Sequence, residues 1–91
     1  MAEDVQDNPE ESRFELMVSG QRAEAYYEIG GKVITFVHTD VPQVLSGQGV
    51  GSRLIKGALE QVRARGLKVV AECPFVSAYI AKHKEFADLL A

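Results

Sequence analysis

Three glycines at alternate positions, in Ser46-Gly47-Gln48-Gly49-Val50-Gly51-Ser52, stand immediately before a segment with helical spacing. Lacking a Cβ, glycines let a ligand approach the backbone closely and let several N–H groups point one way. At a helix N-terminus those groups and the helix dipole favour an anion, most often a phosphate. The same pattern also serves as a plain flexible connection, so its surroundings have to decide.

Three further side chains carry reactive chemistry. Cys73 precedes Pro74, a residue suited to the first position of a helix. Its sulfur therefore stands at an N-cap, where backbone N–H groups favour a thiolate able to accept an acyl group or a proton. The neighbouring Glu72 opposes that charge, and a lone cysteine is equally a common core residue. His38 and His83 supply imidazoles, the usual proton carriers near neutrality. His38 lies among apolar neighbours toward a strand end, where a hydrogen-bonded structural role comes first and a base second. His83 falls near a helix end, an ordinary place for an exposed or dipole-stabilising residue. One cysteine and two histidines at unrelated spacings do not make a metal site. The Tyr26-Tyr27 pair puts one ring in the core and one on the surface.

The elements that position these residues follow from periodicity. Phe14, Leu16 and Val18 alternate with polar residues as a half-buried strand, and Ala23, Ala25, Tyr27 and Ile29 as a second. Gly30-Gly31 marks a hairpin, and the β-branched and aromatic run Lys32 to Asp40 a third strand ended by Pro42. From about Gly49 to Arg65 the period becomes helical, with Val50, Leu54, Ala58 and Val62 on one face and Gly66 as the stop. Leu67, Val69, Val70 and Ala71 form a buried strand, and Pro74 opens a second helix carrying Val76, Tyr79, Ile80 and His83 on one side. A last short turn holds Phe86, Leu89 and Leu90. The order is βββαβα, an α+β fold in which an antiparallel meander leads into one parallel crossover.

Ninety-one residues suffice for one small domain with one core. The formal net charge is −3, but residues 1–11 hold five acids and no Lys or Arg, which leaves the remainder mildly basic. Residues 1–12 are accordingly expected to be a disordered acidic tail, too poor in apolar groups to offset their ordering entropy, with the domain spanning 13–91. A mildly basic body suits a phosphorylated small ligand and lacks the basic patch of a nucleic-acid binder. No apolar run approaches a membrane span, no targeting segment is present, and one cysteine fits a reducing compartment. The expected setting is cytoplasmic, with neither nucleic acid nor membrane as partner.

Among glycine loops that precede helices, a Walker loop is excluded. The only Gly-Lys pair is Gly31-Lys32, followed by Val33, and Tyr26 occupies the position of the leading glycine. A dinucleotide fingerprint nearly matches Gly47-Gln48-Gly49-Val50-Gly51-Ser52, but that fold needs several βαβ units and this chain has room for one. The loop instead resembles the acetyl-CoA loop of the GNAT superfamily of N-acetyltransferases, with pattern Arg/Gln-x-x-Gly-x-Gly/Ala. Here it reads Ser46-x-x-Gly49-x-Gly51, Ser46 replacing the usual Arg or Gln. Val37-His38-Thr39-Asp40-Val41-Pro42 before the loop and Cys73-Pro74-Phe75-Val76 after the last strand are similar to the minimal GNAT-like subfamily. The resemblance runs from about Phe14 to Phe86.

It implies acetyl-CoA as co-substrate, without a metal. The pyrophosphate would lie on Gly47, Gln48, Gly49, Val50, Gly51 and Ser52, with Ser46 and Arg53 flanking. The pantetheine arm would pass between the strand ending at His38, Thr39 and Val41 and the strand ending at Glu72, pointing the thioester toward Cys73. Cys73 is then the first catalytic candidate and His38 a weaker one; the tyrosine that larger members use as general acid falls on Tyr79 or Ile80 by alignment. Larger members also carry N-terminal helices that build an acceptor groove, which residues 1–13 are too short to supply. Two functions follow: an N-acetyltransferase for a small amine or a protein lysine, or a CoA-binding regulatory or carrier module with little or no turnover.

Overall fold

The computed structural model describes residues 5–91. Five strands lie side by side in their order along the chain: β1 (Gln6–Asn8), β2 (Arg13–Val18), β3 (Gln21–Gly30), β4 (Val33–Asp40) and β5 (Lys68–Ala71). The first four pair antiparallel, and β5 joins β4 in parallel after the helix α1 (Val50–Ala64). A second helix, α2 (Pro74–Lys82), and a 3-10 segment, Lys84–Leu89, complete the order. The α+β layout is the one the periodicity predicts, with one strand added at the front.

That added strand corrects the expectation for the acidic tail. Within residues 5–12, Gln6–Asn8 pairs with Arg13–Glu15, and Val5 is buried. Gly57 explains how Val5 fits: a Cβ at that position would lie 2.5 Å from Val5 Cγ2. The Gln61 amide donates to the Val5 carbonyl at 2.7 Å. Asp7, a solvating charge by composition, accepts from the Tyr27 hydroxyl and from Arg65, the latter at 2.8 Å. Composition misses this because it weighs each acid without its partner. The part of the expectation concerning residues 1–4 lies outside the described residues.

Alternation decides which face of the sheet is buried. Phe14 and Leu16 of β2, Ala23, Ala25 and Tyr27 of β3, and Ile34 and Phe36 of β4 all point toward the helices. Phe14, Tyr27 and Phe36 form an aromatic cluster with centroids 5.3 to 6.4 Å apart. α1 contributes Val50, Leu54, Ile55, Ala58, Leu59 and Val62, and α2 contributes Val76, Tyr79 and Ile80. The other face carries Arg13, Glu15, Glu24 and Tyr26, tied by Arg13–Glu15 at 2.6 Å and Arg22–Glu24 at 2.7 Å.

One irregularity interrupts β4. Tyr27 pairs with Phe36 but Tyr26 pairs with His38, so Val37 is the extra residue of a β-bulge. The bulge absorbs one residue and sets the faces beyond it. Thr39, opposite Ala25, takes the helix side, while His38, opposite Tyr26, takes the open side.

Candidate acetyl-CoA site

β4 and β5 are joined only as far as Phe36 and Ala71. The Phe36 carbonyl closes the seam, accepting from the N–H groups of both Glu72 (3.0 Å) and Cys73 (2.9 Å). Beyond it β4 continues through Val37 to Asp40 while the chain from β5 turns away into α2, so a cleft opens between them. Cys73 is the N-cap of α2 and Pro74 its first residue, as the sequence predicts. Its sulfur makes no capping bond; it is buried and shares a 3.3 Å hydrogen bond with the Thr39 hydroxyl across the cleft. Thr39 reaches Cys73 because the Val37 bulge turns it there.

The same bulge takes His38 away. Its side chain is exposed on the open face of the sheet and stacks on Tyr26, with centroids 6.0 Å apart and planes at 23°. The expectation of an imidazole among apolar neighbours beside the thioester assumes unbroken alternation along β4. The structure therefore brings Thr39 and Cys73 together and leaves the His38 ring outside.

The glycine loop is held at both ends by buried side chains, Leu45 in a 3-10 turn and Val50 at the start of α1. Between them Ser46, Gly47, Gln48 and Gly49 are exposed. Gly47 and Gly49 adopt φ of +82° and +71°, conformations open to glycine at little cost. Two loop N–H groups are used internally, Ser46 to the Gln43 carbonyl and Gln48 to the Leu45 carbonyl. The Arg53 N–H donates to the Gly49 carbonyl and begins the helical ladder. The N–H groups of Gly47, Gly49, Val50, Gly51 and Ser52 find no acceptor among the described residues. Five such donors at the positive end of a fifteen-residue helix, with no acid in its first turn, make a seat for an anion. Arg53 is exposed beside them and takes part in no ion pair among the described residues.

The loop walls a cavity of about 270 Å³ that reaches from Val41, at the end of β4, past Ser46 to Ser52 and ends on Phe75 of α2. Gly51 belongs to this wall for a reason the sequence hides. Its φ is not positive, but a Cβ there would stand 2.7 Å from the Phe75 ring. Of the predicted site residues, the structure thus brings Val41, Ser46, Gly47, Gly49, Val50, Gly51 and Ser52 to one cavity, with Thr39 and Cys73 bonded to each other across the adjoining cleft. Phe75 and Leu45 are the residues that sequence reasoning missed.

The family model described as GCN5-related N-acetyl-transferase matches residues 13–89. The chain belongs to the GCN5-related N-acetyltransferase family. Similarity to known proteins is low in sequence identity. Protein NATD1 of Mus musculus is 28% identical over 82 residues, which cover 87% of this chain and 74% of that protein. Protein NATD1 of Homo sapiens is 30% identical over 74 residues, covering 78% and 66%. The NMR solution structure of a GCN5-like protein from Staphylococcus aureus is similar with a TM-score of 0.74 and 28% identity, over 99% of this chain and 89% of that one. The GCN5-related fold supplies the frame in which loop, cleft and α2 N-terminus meet.

Proposed function

We propose that the protein transfers the acetyl group of acetyl-CoA to an amine, either of a small molecule or of a protein lysine. The observation that carries this reading is the set of five N–H groups, in the glycine loop and the first turn of α1, that have no partner among the described residues and border a cavity beside the β4–β5 cleft. Charge-assisted bonds from these N–H groups and Arg53 hold the CoA pyrophosphate. The edge of β4 beyond Phe36, free of a neighbouring strand, offers backbone groups to the amides of the pantetheine arm. Acetyl-CoA brings an already activated acyl group as a thioester. The amine nitrogen attacks the thioester carbonyl carbon, the carbon–sulfur bond breaks, and the proton lost by the amine ends on the departing sulfur. What this chain contributes is chiefly position, which alone is worth several kcal/mol of barrier, on the order of 7–11 for ideal alignment.

Cys73 is the reactive candidate at the closed end of the cleft, as a transient acetyl carrier or as the base that takes the amine proton. Its burial and its bond to Thr39 favour a second reading, in which the chain binds CoA or acyl-CoA for sensing or carriage and turns over little. One assay separates them: release of free CoA thiol with time in the presence of polyamines or lysine peptides, alongside calorimetric titration with CoA. Turnover that disappears in Cys73→Ala, with CoA affinity kept, assigns the chemistry to the sulfur; turnover that survives assigns it to positioning. Tight CoA binding without turnover supports the binding module instead. Absence of CoA binding overturns both. The free cysteine accords with a cytoplasmic setting. Among the described residues no helix is long and apolar enough to cross a membrane.

A further inference from the structure

We infer that the hydrogen-bonded pair Thr39–Cys73 is a bar across the β4–β5 cleft that admits an acetyl donor and refuses donors with longer acyl chains. The inference rests on acyl-CoA as the ligand and adds a selectivity among acyl groups. Position is its first support. Val41 lines the loop cavity, and Thr39 lies two residues before it along the chain, toward the seam at Phe36. Cys73 lies two residues beyond Ala71, the last residue of β5 in register with β4. A pantetheine arm that leaves the loop cavity along β4 therefore meets this pair before it meets the seam. The functional reading directs the thioester toward Cys73, so the acyl chain beyond the carbonyl runs into the pair. The Thr39 oxygen and the Cys73 sulfur stand 3.3 Å apart. No carbon chain passes between them, since a carbon needs about 3.5–4 Å to each neighbour.

Both ends of the bar are fixed. On β4 the extra residue Val37 turns Thr39 to the helix side; with unbroken alternation from Phe36, His38 would take that side and Thr39 the other. Its β-branched side chain is stiff at χ1, so the hydroxyl does not simply rotate out of the way. At the other end the Cys73 N–H donates to the Phe36 carbonyl at 2.9 Å, and the Cys73 carbonyl accepts from the Ser77 N–H at 3.0 Å. Cys73 is only 4% exposed, so its sulfur has no open space to move into. Parting the pair leaves two polar atoms without a partner in a place that water reaches poorly, and that cost falls on any ligand long enough to need it. The direction of the effect is diagnostic. An unobstructed apolar cleft prefers the longer chain, because each methylene it buries adds affinity. A bar reverses that order.

The test is calorimetric titration of the full chain with CoA, S-ethyl-CoA and S-butyl-CoA. The two thioethers match the acetyl and butyryl thioesters in length and transfer nothing. Wild type should bind S-ethyl-CoA about tenfold more tightly than S-butyl-CoA. Thr39→Ala removes two heavy atoms, the number that butyl adds to ethyl, and should bind S-butyl-CoA at least as tightly as S-ethyl-CoA. Cys73→Ala takes away the other half of the bar and should relax the preference in the same way, which keeps the test open if Thr39→Ala fails to fold. Thr39→Ser keeps the hydroxyl and should keep the preference. A merely structural role for the pair would lower the melting temperature of these variants without moving the ratio of the two affinities. Wild type that binds S-butyl-CoA as tightly as S-ethyl-CoA, or a preference that persists in folded Thr39→Ala or Cys73→Ala, overturns the bar while leaving the loop assignment standing. A preference lost as fully in Thr39→Ser as in Thr39→Ala overturns the hydrogen bond as what holds it. No binding of CoA to any form overturns the functional reading itself.

Discussion

The three glycines of the loop look alike in sequence and do different work. Gly47 and Gly49 are required by their backbone, since positive φ strains any residue with a Cβ by roughly 1–2 kcal/mol. Among the described residues nothing within 4 Å would obstruct a side chain at either position. Gly51 is required by space, because Phe75 lies where its Cβ would be. Gly51→Ala should therefore displace the Phe75 ring at the wall of the cavity. CoA affinity should fall about tenfold, roughly 1.4 kcal/mol, with little change in melting temperature. In a Phe75→Ala background the same substitution should cost far less, whereas strictly additive losses in the double-mutant cycle would show that the two residues are not coupled. A second residue has a pH signature. Burial, then the bond to Asp7, raises Tyr27 from the usual tyrosine value to about 12. The unfolded chain ionises first, so the folded state binds the extra proton between about pH 10 and pH 12. The stability due to this group is complete below pH 10 and is lost as pH rises toward 12, on the order of 2–3 kcal/mol. Denaturant midpoints measured from pH 9 to pH 12 should fall less steeply in Tyr27→Phe than in wild type.

At the scale of elements, β1 shows how a short strand is held by what it touches. A chain beginning at Ser12 loses the burial of Val5, worth about 2 kcal/mol, and the bonds of Asp7 to Tyr27 and Arg65. Its melting temperature should drop by roughly 10 °C, given about 4–8 °C per kcal/mol for a domain of this size. CoA affinity at low temperature should stay close to that of the full chain, because β1 lies at the opposite edge of the sheet from β5. An unchanged melting temperature would show that Val5 contributes nothing. β2, β3, both helices and the Cys73 N-cap were legible because each repeats a pattern locally: period two, period four, or proline at a helix start. β1 was not, having three residues and no apolar alternation of its own. Its signal lay elsewhere, in Gly57, a glycine inside a helix at a cost of about 1 kcal/mol that only a close neighbour justifies. The Val37 bulge left no mark in the β-branched run of β4, so the faces of His38 and Thr39 were unreadable beyond it. The Thr39–Cys73 bond joins residues far apart in sequence, and no local rule reaches that distance.

At the scale of the molecule, one core runs from Val5 through the aromatic cluster of the meander to Leu89, and the candidate site sits at its rim. The antiparallel part of the sheet is built from neighbours in sequence, whereas the cleft depends on β5, which can pair with β4 only after α1 has crossed between them. Contacts that close long loops form late, because their entropy must be met before they give anything back. Synthesis proceeds from the N-terminus and domains can begin to fold as they emerge. The strands β1 to β4 are complete while the chain still lacks the glycine loop, and the loop is complete while Cys73 and Phe75 are still to be added. On the ribosome the strands β1 to β4 are thus synthesised well before the candidate site is complete, so CoA bound as proposed would act on the finished molecule and could not template its earliest steps.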